Sequence, residues 1–277
     1  MHKELENKYH SLVSIISEYE RAAVAFSGGV DSTLLARVVK DTLGEKGLAV
    51  TVDSAAYAPD SIEQTRSLAR HIGITLDELP VDITTVQGFM DNSTERCYHC
   101  KLALFTLMLG HVGKKGITVL FDGSNIDDDD DFRPGKRATA ELGIVSPLRE
   151  AGLTKSDIRE ISRELGLPTW NMPSFACLAS RFPYGTRITP ETLEQTWRAE
   201  QVLRERGFMQ YRVRNHGDIA RIELPSGDIT RLVEPKVREE VTRKILALGF
   251  SYVALDLKGY RTGSMNEVID RGQSSNE

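Results

Sequence analysis

The sequence lacks a long hydrophobic run, since no segment approaches the roughly 18 consecutive apolar residues that a membrane-spanning helix needs. Residues 1–20 are polar and charged, so the apolar core of a secretion signal is missing there as well. These two absences predict a cytoplasmic protein that does not bind a membrane. Hydrophobic residues still make up 40% of the 277 positions, which is enough for one large domain, or for one domain with a smaller companion.

An excess of positive charge is also missing. The formal net charge is −5 at pH 7, whereas proteins that bind nucleic acid over a broad surface usually carry a basic excess. The sequence therefore disfavours a nucleic acid as the partner. Cysteine is scarce, with three residues, and an odd number in a chain without an export signal disfavours a disulfide framework. Metal binding and thiol chemistry become the roles to consider for these cysteines.

Short apolar runs alternate with helical patterns through the first two thirds of the chain. The runs cover residues 22–26, 48–52, 74–81 and 117–121, with a fifth candidate at 144–146. This alternation predicts an α/β domain, Rossmann-like, with a parallel sheet and right-handed crossovers. A smaller α+β pattern of short strands and helices follows. We therefore predict one domain at 1–184 and a second, for substrate binding or oligomerisation, at 185–277.

A glycine-rich turn joins the first predicted strand to the first helix of the sheet. Its sequence is Ser27-Gly28-Gly29-Val30-Asp31-Ser32. The two glycines let backbone N–H groups approach a phosphate closely, and the following helix directs its positive end at the anion. Ser27 and Ser32 add hydroxyl donors, while Asp31 is expected to orient the loop or to hold Mg²⁺. The turn predicts a site for the phosphates of a nucleotide.

This Ser-Gly-Gly-x-Asp-Ser pattern resembles the PP-loop signature of the ATP pyrophosphatases. The resemblance implies a five-stranded Rossmann-like core and an enzyme that adenylates a carboxylate or carbonyl oxygen and releases pyrophosphate. It also implies an ATP site made from the ends of neighbouring strands. The expected ATP contacts are Ala25, Ser27, Gly28, Gly29, Asp31, Ser32, Asp53 and Gly123.

Three further motifs narrow the family. They are DGSN at 122–125 with RPG at 133–135, CLASRFPYG at 177–185, and RVR at 212–214 with ARIE at 220–223. Together they resemble the LarE family over residues 20–265, nearly the whole chain. Those are ATP-dependent sulfur transferases that build the nickel-pincer cofactor of lactate racemase. The resemblance implies a pyridinium dicarboxylate mononucleotide as substrate, a thiocarboxylate as product, and a homo-oligomer.

The cysteine pattern of this chain differs from that of the family members in which one cysteine is sacrificed as the sulfur donor. Cys97 and Cys100 form a Cys-x-x-Cys pair at the start of an apolar helical pattern, and Cys177 is the third cysteine. The resemblance to cluster-dependent PP-loop thiolases predicts a [4Fe–4S] cluster on these three thiolates, with one iron left open. The alternatives are a sacrificial Cys177, a zinc site that includes His99, and inert or redox-active thiols.

Five successive aspartates occupy 127–131, directly after the DGSN motif. Such a run is usually a solvated acidic segment, but beside a nucleotide site it can supply a Mg²⁺ ligand. Asp128 or Asp131 is the candidate, together with Asp31. Arg133 and Arg137 either face phosphate or carboxylate groups or are surface charges.

The predicted second domain offers a substrate-binding set. Arg212 and Arg214 share one face of a strand because side chains alternate along it, and together they can clamp a phosphate or carboxylate. Glu223 is expected on the neighbouring strand and Glu200 on the preceding helix. Ser180 and Arg181 follow Cys177 and share its site if the resemblance holds. The competing interpretation of these charges is a set of surface ion pairs.

Other functions share parts of this pattern. A tRNA thiolase has the same loop and the same cysteine cluster, but it normally adds a basic surface or an RNA-binding module. An ammonia-dependent amide-forming synthetase does not need the cysteines. A nucleotide-binding regulator needs neither the cysteines nor the arginines. The sequence therefore favours a small-molecule sulfur transferase that uses ATP and Mg²⁺.

Overall fold

The computed structural model describes residues 2–128, 134–173 and 176–261. The chain forms two compact units. Unit 1 comprises Met1–Gly88 and Glu95–Phe175, and unit 2 comprises Phe89–Thr94 and Ala176–Glu277. The short segment 89–94 belongs to unit 2 because Met90 and Asn92 accept backbone hydrogen bonds from Ile188 and Gly185, both at 2.9 Å. The functional domain boundary after residue 184 stays a prediction.

Unit 1 contains the predicted parallel sheet. Its strands are β1 (Ala22–Ala25), β2 (Gly47–Asp53), β3 (Thr75–Pro80) and β4 (Leu120–Phe121), in the order β3-β2-β1-β4. Every neighbouring pair is parallel, which confirms the α/β class. The fifth strand expected at 144–146 is reduced to a single bridge from Val145 to Phe121, because a helix begins at Pro147.

Seven helices belong to unit 1 among the residues that the structure describes. They are α1 (Lys3–Ser17), α2 (Val30–Leu43), α3 (Ser61–Ile72), α4 (Arg96–Gly113), α5 (Gly135–Glu141), α6 (Pro147–Glu150) and α7 (Lys155–Glu164). One buried cluster packs α1, α2 and α7 on one face of the sheet. A second cluster packs Leu104, Phe105 and Met108 of α4 on the other face. Both faces of the sheet are therefore covered, as the buried central strands β1 and β2 require.

Unit 2 is the predicted α+β arrangement. Strands β5 (Arg212–His216) and β6 (Ile219–Glu223) form an antiparallel hairpin, and β7 (Tyr252–Leu255) pairs parallel to β6. The helices are α8 (Pro190–Glu205), α9 (Ser226–Val233) and α10 (Pro235–Leu246), preceded by a 3₁₀ turn at Leu178–Arg181. Their apolar faces meet the sheet in a core of their own.

Among the described helices, none combines the length and the apolar character needed to cross a membrane.

Candidate functional site

The glycine-rich loop lies at the carboxyl end of β1, where open parallel sheets bind ligands. Gly28 has a φ of +73°, and a Cβ there would lie 3.0 Å from Thr65 Oγ1 on α3, so both conformation and space require glycine. Gly29 is the N-cap of α2 and supplies no side-chain cap. The first turn of α2 therefore presents backbone N–H groups to an anion.

The two serines of the loop face each other. Ser27 Oγ lies 3.1 Å from Ser32 Oγ, and Ser32 Oγ also donates to Gly29 O at 3.2 Å. Ser32 is buried, which fixes its hydroxyl against the turn. The pair closes the loop over the N-terminus of α2, and the role of the two hydroxyls as phosphate donors stays a prediction.

Asp31 lies in the first turn of α2 and contacts two residues that are distant in sequence. Its Oδ2 binds Lys155 Nζ, and its Oδ1 accepts a long hydrogen bond of 3.5 Å from Asn125 Nδ2. Burial raises the pKa of Asp31, the positive charge of Lys155 opposes that rise, and the negative charge of Asp128 adds to it.

The DGSN segment packs directly against the loop. A Cβ at Gly123 would lie 3.1 Å from Ser32 N and 3.2 Å from Asp31 Cβ, so glycine permits this close approach. Buried Asp122 holds the segment in place by accepting from Ser124 Oγ and Ser146 Oγ, both at 2.6 Å. Gly123 thus lies beside the N-terminus of α2, although its contact with ATP stays a prediction.

The other predicted ATP contacts also lie at this edge of the sheet. Ala25 ends β1, and Asp53 ends the neighbouring parallel strand β2, where its side chain is exposed. Asp128 accepts a hydrogen bond from Asn125 N at 3.1 Å through Oδ2, and this bond fixes the carboxylate after the DGSN turn. The candidates Asp131 and Arg133 lie outside the described residues.

Cys97 lies in the first turn of α4, and Cys100 follows it about one helical turn later. The guanidinium of buried Arg96 brings Nη2 to 4.0 Å from Cys97 Sγ, and Cys100 packs against the apolar cluster beneath the sheet. A nearby guanidinium and a helix N-terminus both favour the thiolate form that binds metals. Within either unit, the described residues include no group of three His, Cys, Asp or Glu side chains placed to hold a metal ion.

Arg137 forms its side-chain contacts at the protein surface. It donates to Glu95 Oε2 at 2.7 Å, and its guanidinium carbon lies 3.8 Å from the centre of the Tyr98 ring. Tyr98 in turn donates to Glu141 Oε2 at 2.8 Å. These contacts agree with the surface-charge interpretation of Arg137, because Glu95 already neutralises its guanidinium.

In unit 2, Arg181 organises the segment that carries Cys177. Its side chain is 2% exposed, and Nε and Nη2 donate to the two oxygens of Glu200 at 2.9 and 3.0 Å. Nη1 donates to Cys177 O at 3.2 Å and to Ser180 Oγ at 2.8 Å. Burial alone would lower the pKa of Arg181, but Glu200 outweighs it and the net pKa is raised. The guanidinium therefore stays charged and fixes the Cys177 backbone.

Arg214 and Glu223 form a second buried pair on the hairpin. Arg214 Nη2 donates to Glu223 Oε2 at 2.6 Å, and Arg214 Nη1 donates to Ser180 O at 2.9 Å. Arg221, on the same face, donates to Glu223 Oε1 at 3.1 Å and to Asp256 Oδ2 at 2.6 Å. Arg214 is the cross-strand partner of Arg221, and Glu223 lies on the strand next to Arg214, as expected.

Arg212 is the cross-strand partner of Glu223 and is also buried, at 4% exposure. Its Nη1 donates to Tyr211 O at 2.6 Å, and its guanidinium carbon lies 5.3 Å from the centre of the Tyr260 ring. Burial, with a further contribution from the positive charge of Arg181, lowers the pKa of Arg212 to about 10. Burial of a guanidinium is costly unless negative charge compensates it.

We call Arg181, Arg212, Arg214 and Arg221 the arginine cluster. Among the described contacts, its carboxylate partners are Glu200, Glu223 and Asp256, and Asp256 also pairs with Arg261.

Sequence reasoning missed several of these residues. Arg221 belongs to the arginine cluster, and Asp256 accepts a hydrogen bond from it. The alternation of Arg221 with Glu223 along one strand is a sequence signal that could have identified Arg221. Asn125 lies in the DGSN motif, but the sequence alone assigns it no role. Lys155 carried no local signal, because its contact with Asp31 spans the sequence from α2 to α7.

Comparison with known proteins finds one matching family model and several relatives that span most of the chain. Residues 4–102 match the NAD synthase family model. The chain is 36% identical over 270 residues to the pyridinium-3,5-bisthiocarboxylic acid mononucleotide synthase of Lactiplantibacillus plantarum, with 97% of each chain covered. It is 40% identical to an uncharacterized protein of Synechocystis, covering 96% of this chain and 100% of that one. An uncharacterized protein of Methanocaldococcus jannaschii is 30% identical, with 88% of this chain and 92% of the relative covered.

Proposed function

This chain is an ATP-dependent enzyme of the LarE family, the pyridinium-3,5-bisthiocarboxylic acid mononucleotide synthases, and we propose that it exchanges a carboxylate oxygen of a pyridinium dicarboxylate mononucleotide for sulfur. ATP adenylates the carboxylate and pyrophosphate leaves. A sulfide then attacks the acyl carbon, and AMP leaves with the carboxylate oxygen. The thiocarboxylate product serves the nickel-pincer cofactor of lactate racemase. Adenylation is needed because a carboxylate oxygen is a poor leaving group, whereas AMP is a good one.

The observation that carries this proposal is the loop geometry at the start of α2. Gly28 and Gly29 bring the backbone to the helix N-terminus, and Ser27 and Ser32 place two hydroxyls 3.1 Å apart beside it. This arrangement suits the pyrophosphate part of ATP, which needs several N–H and O–H donors and a positive helix end. Ala25, Asp53 and Gly123 are assigned to the remainder of the nucleotide.

We assign Mg²⁺ to Asp31 and Asp128. Carboxylate oxygens are the ligands that Mg²⁺ prefers, and both carboxylates accept a hydrogen bond from Asn125, which supports a shared cation. Bound there, the ion would neutralise phosphate charge as pyrophosphate leaves. Asp31 would also orient the loop, since it contacts Asn125 of the DGSN segment.

The arginine cluster is assigned to the substrate. A pyridinium dicarboxylate mononucleotide carries a phosphate and two carboxylates, and buried guanidinium groups bind such anions in fixed orientations. Arg212 and Arg214 are the proposed phosphate clamp. Ser180, Arg181, Glu200 and Glu223 hold the clamp and the Cys177 segment in position through the hydrogen bonds described above.

We further propose that Cys97, Cys100 and Cys177 hold a [4Fe–4S] cluster. The donor set supports this assignment, because Cys97 and Cys100 lie one turn apart and Arg96 favours a thiolate at Cys97. When bound, such a cluster would supply sulfide from the iron that three thiolates leave open. The rival is a sacrificial Cys177 that gives up its own sulfur. A homo-oligomer remains a prediction, for which light scattering is the measurement.

The adenylation step is tested by replacing residues of the loop. Asp31→Asn and Ser32→Ala should abolish pyrophosphate release with substrate and ATP present. Asp41→Asn is the matched control, because Asp41 lies on the same helix and pairs only at the surface with Arg37 at 2.7 Å. Full pyrophosphate release by the Asp31 and Ser32 variants would refute the loop assignment.

The sulfur source is tested separately. Anaerobic purification and reconstitution, followed by iron and sulfide analysis, should give a cluster that each single cysteine variant loses. A protein without iron after reconstitution would refute the cluster. Mass spectrometry of the Cys177 peptide after turnover addresses the rival, because sacrifice converts Cys177 to dehydroalanine with the loss of one H₂S.

A further inference from the structure

Segment 256–261 follows β7 and turns back toward the end of β6. Asp256 N donates to Ile222 O at 2.8 Å, which continues the pairing of β7 with β6. Tyr260 N donates to Leu224 O, also at 2.8 Å. The segment is therefore hydrogen-bonded to the sheet both before and after its turn.

The carboxylate of Asp256 connects the segment to the arginine cluster. Its Oδ2 accepts from Arg221 Nη1 at 2.6 Å, and its Oδ1 accepts from Arg261 Nη1 at 3.5 Å. Arg261 Nη1 also donates to Gly259 O at 2.9 Å. Tyr260 thus lies between two residues that these contacts fix in place.

Gly259 permits the close approach of the segment to the sheet. Its φ is +70°, and a Cβ there would lie 2.6 Å from Leu224 O. A backbone oxygen cannot swing aside as the end of a flexible side chain can, so a larger residue would push the segment away from the sheet. Both conformation and space therefore require glycine, and the position of Tyr260 depends on it.

Tyr260 lies against the guanidinium of Arg212. The guanidinium carbon is 5.3 Å from the centre of the Tyr260 ring, inside the range of roughly 6 Å for attraction between a cation and an aromatic face. Arg212 is 4% exposed, and such a contact is stronger where water is excluded. The ring attracts the positive charge without neutralising it, so the charge stays available to an anionic ligand.

We propose that Tyr260 is a positioning residue for the substrate phosphate, and that its ring holds the Arg212 guanidinium in the orientation that binds the phosphate. This inference rests on the proposed phosphate clamp of Arg212 and Arg214. An arginine side chain has several rotatable bonds, so ordering it when the ligand binds costs affinity. A flat ring that restricts the guanidinium beforehand lowers this cost.

The test is calorimetric titration of the full chain with two ligands, the pyridinium dicarboxylate mononucleotide and the corresponding nucleoside, which lacks the phosphate. Tyr260→Leu should weaken binding of the mononucleotide about 3- to 30-fold, the range for a buried contact of this kind, and leave binding of the nucleoside unchanged. Tyr260→Phe keeps the ring and should bind the mononucleotide as the wild type does. Tyr252→Leu is the matched control, because Tyr252 lies on β7 of the same sheet with 67% exposure.

The nucleoside separates positioning of Arg212 from a general loss of structure. Equal weakening of both ligands by Tyr260→Leu, or wild-type affinity of this variant for the mononucleotide, would overturn the proposal. If the wild type binds the mononucleotide no more tightly than the nucleoside, the phosphate clamp itself is wrong and this proposal fails with it.

A double-mutant cycle tests whether Tyr260 acts through Arg212. In an Arg212→Met background, Tyr260→Leu should cause no further loss of affinity for the mononucleotide, because the guanidinium that the ring positions is already absent. A further loss as large as that in the wild-type background would overturn the proposal.

Gly259→Ala tests the same link without changing either side chain. Its clash with Leu224 O should displace Tyr260 and weaken binding of the mononucleotide, again without an effect on the nucleoside. Gly217→Ala is the control, because Gly217 has a similar φ of +72° but a Cβ there meets nothing within 4 Å. The two variants share the backbone strain and differ in the clash. Equal affinity of the two variants for the mononucleotide would overturn the proposal.

Discussion

Arg181 and Glu200 form a buried pair with two parallel hydrogen bonds, from Nε to Oε1 at 2.9 Å and from Nη2 to Oε2 at 3.0 Å. Glu200 Oε1 also accepts from Val213 N at 3.1 Å. One carboxylate therefore connects the Cys177 segment, helix α8 and strand β5. The pair orders the part of unit 2 to which we assign the substrate.

Removal of Glu200 should destabilise the protein strongly. Glu200→Ala leaves the guanidinium of Arg181 buried beside Arg212, and breaking a buried pair of this kind costs about 3–5 kcal/mol. Urea unfolding measures the loss. Glu194→Ala is the control on the same helix, because Glu194 pairs with Arg198 at the surface, where such pairs contribute less than about 1 kcal/mol. Equal losses in the two variants would contradict the structural role of Glu200.

Gly123→Ala should impair the use of ATP. The added Cβ would lie 3.1 Å from Ser32 N, so the loop or the DGSN segment must shift. Because small displacements at a reacting site are costly, we expect kcat/KM for ATP to fall on the order of tenfold to a hundredfold.

The matched control for Gly123 is Gly110→Ala, in the interior of α4. A Cβ there meets nothing within 4 Å, so alanine should keep full activity and stabilise the helix by up to about 1 kcal/mol. Steady-state kinetics measure the effect of each variant on the use of ATP, and thermal unfolding measures its effect on stability. Gly123→Ala with unchanged kinetics would show that the close approach of Gly123 to α2 does not matter for the nucleotide.

Asp77 of β3 should contribute stability that depends on pH. Burial raises its pKa, but hydrogen bonds from Lys115 and His111 outweigh burial, so the net pKa is lowered. A lowered carboxyl pKa stabilises the fold above the unfolded value of about 3.9, and this contribution is lost as pH falls through the folded pKa.

Asp77→Asn should therefore be less stable than the wild type at pH 7, and the difference should shrink as pH falls below about 4, where the unfolded chain binds a proton at Asp77 before the folded protein does. Urea unfolding across this range measures the difference. A difference between the two proteins that stays constant with pH would contradict the assigned ion pairs of Asp77.

Sequence reasoning succeeded where the signal was local. The glycine-rich loop follows a strand and precedes a helix, so its position at the sheet edge follows from one short segment. The shared face of Arg212 and Arg214 follows from strand alternation. Helices α5, α6 and α9 were not predicted, since each is at most eight residues long and spans too few turns to establish a helical period.

Contacts between segments that are distant in the sequence could not be predicted from the sequence pattern. The approach of Lys155 to Asp31 depends on how α7 packs beside α2, and the pairing of Asp256 with Arg221 depends on the parallel addition of β7 to β6. Neither contact has a spacing that a single sequence reveals. The assignment of segment 89–94 to unit 2 likewise rests on backbone hydrogen bonds to residues 185 and 188.

The most direct test of the account follows one oxygen atom. The pyridinium dicarboxylate mononucleotide, labelled with heavy oxygen in its carboxylates, is incubated anaerobically with the reconstituted protein, ATP, Mg²⁺ and sulfide. The account predicts a thiocarboxylate product together with pyrophosphate and AMP that carries one labelled oxygen, because the acyl-adenylate transfers that oxygen to AMP. Unlabelled AMP, or ADP and phosphate in place of AMP and pyrophosphate, would contradict it.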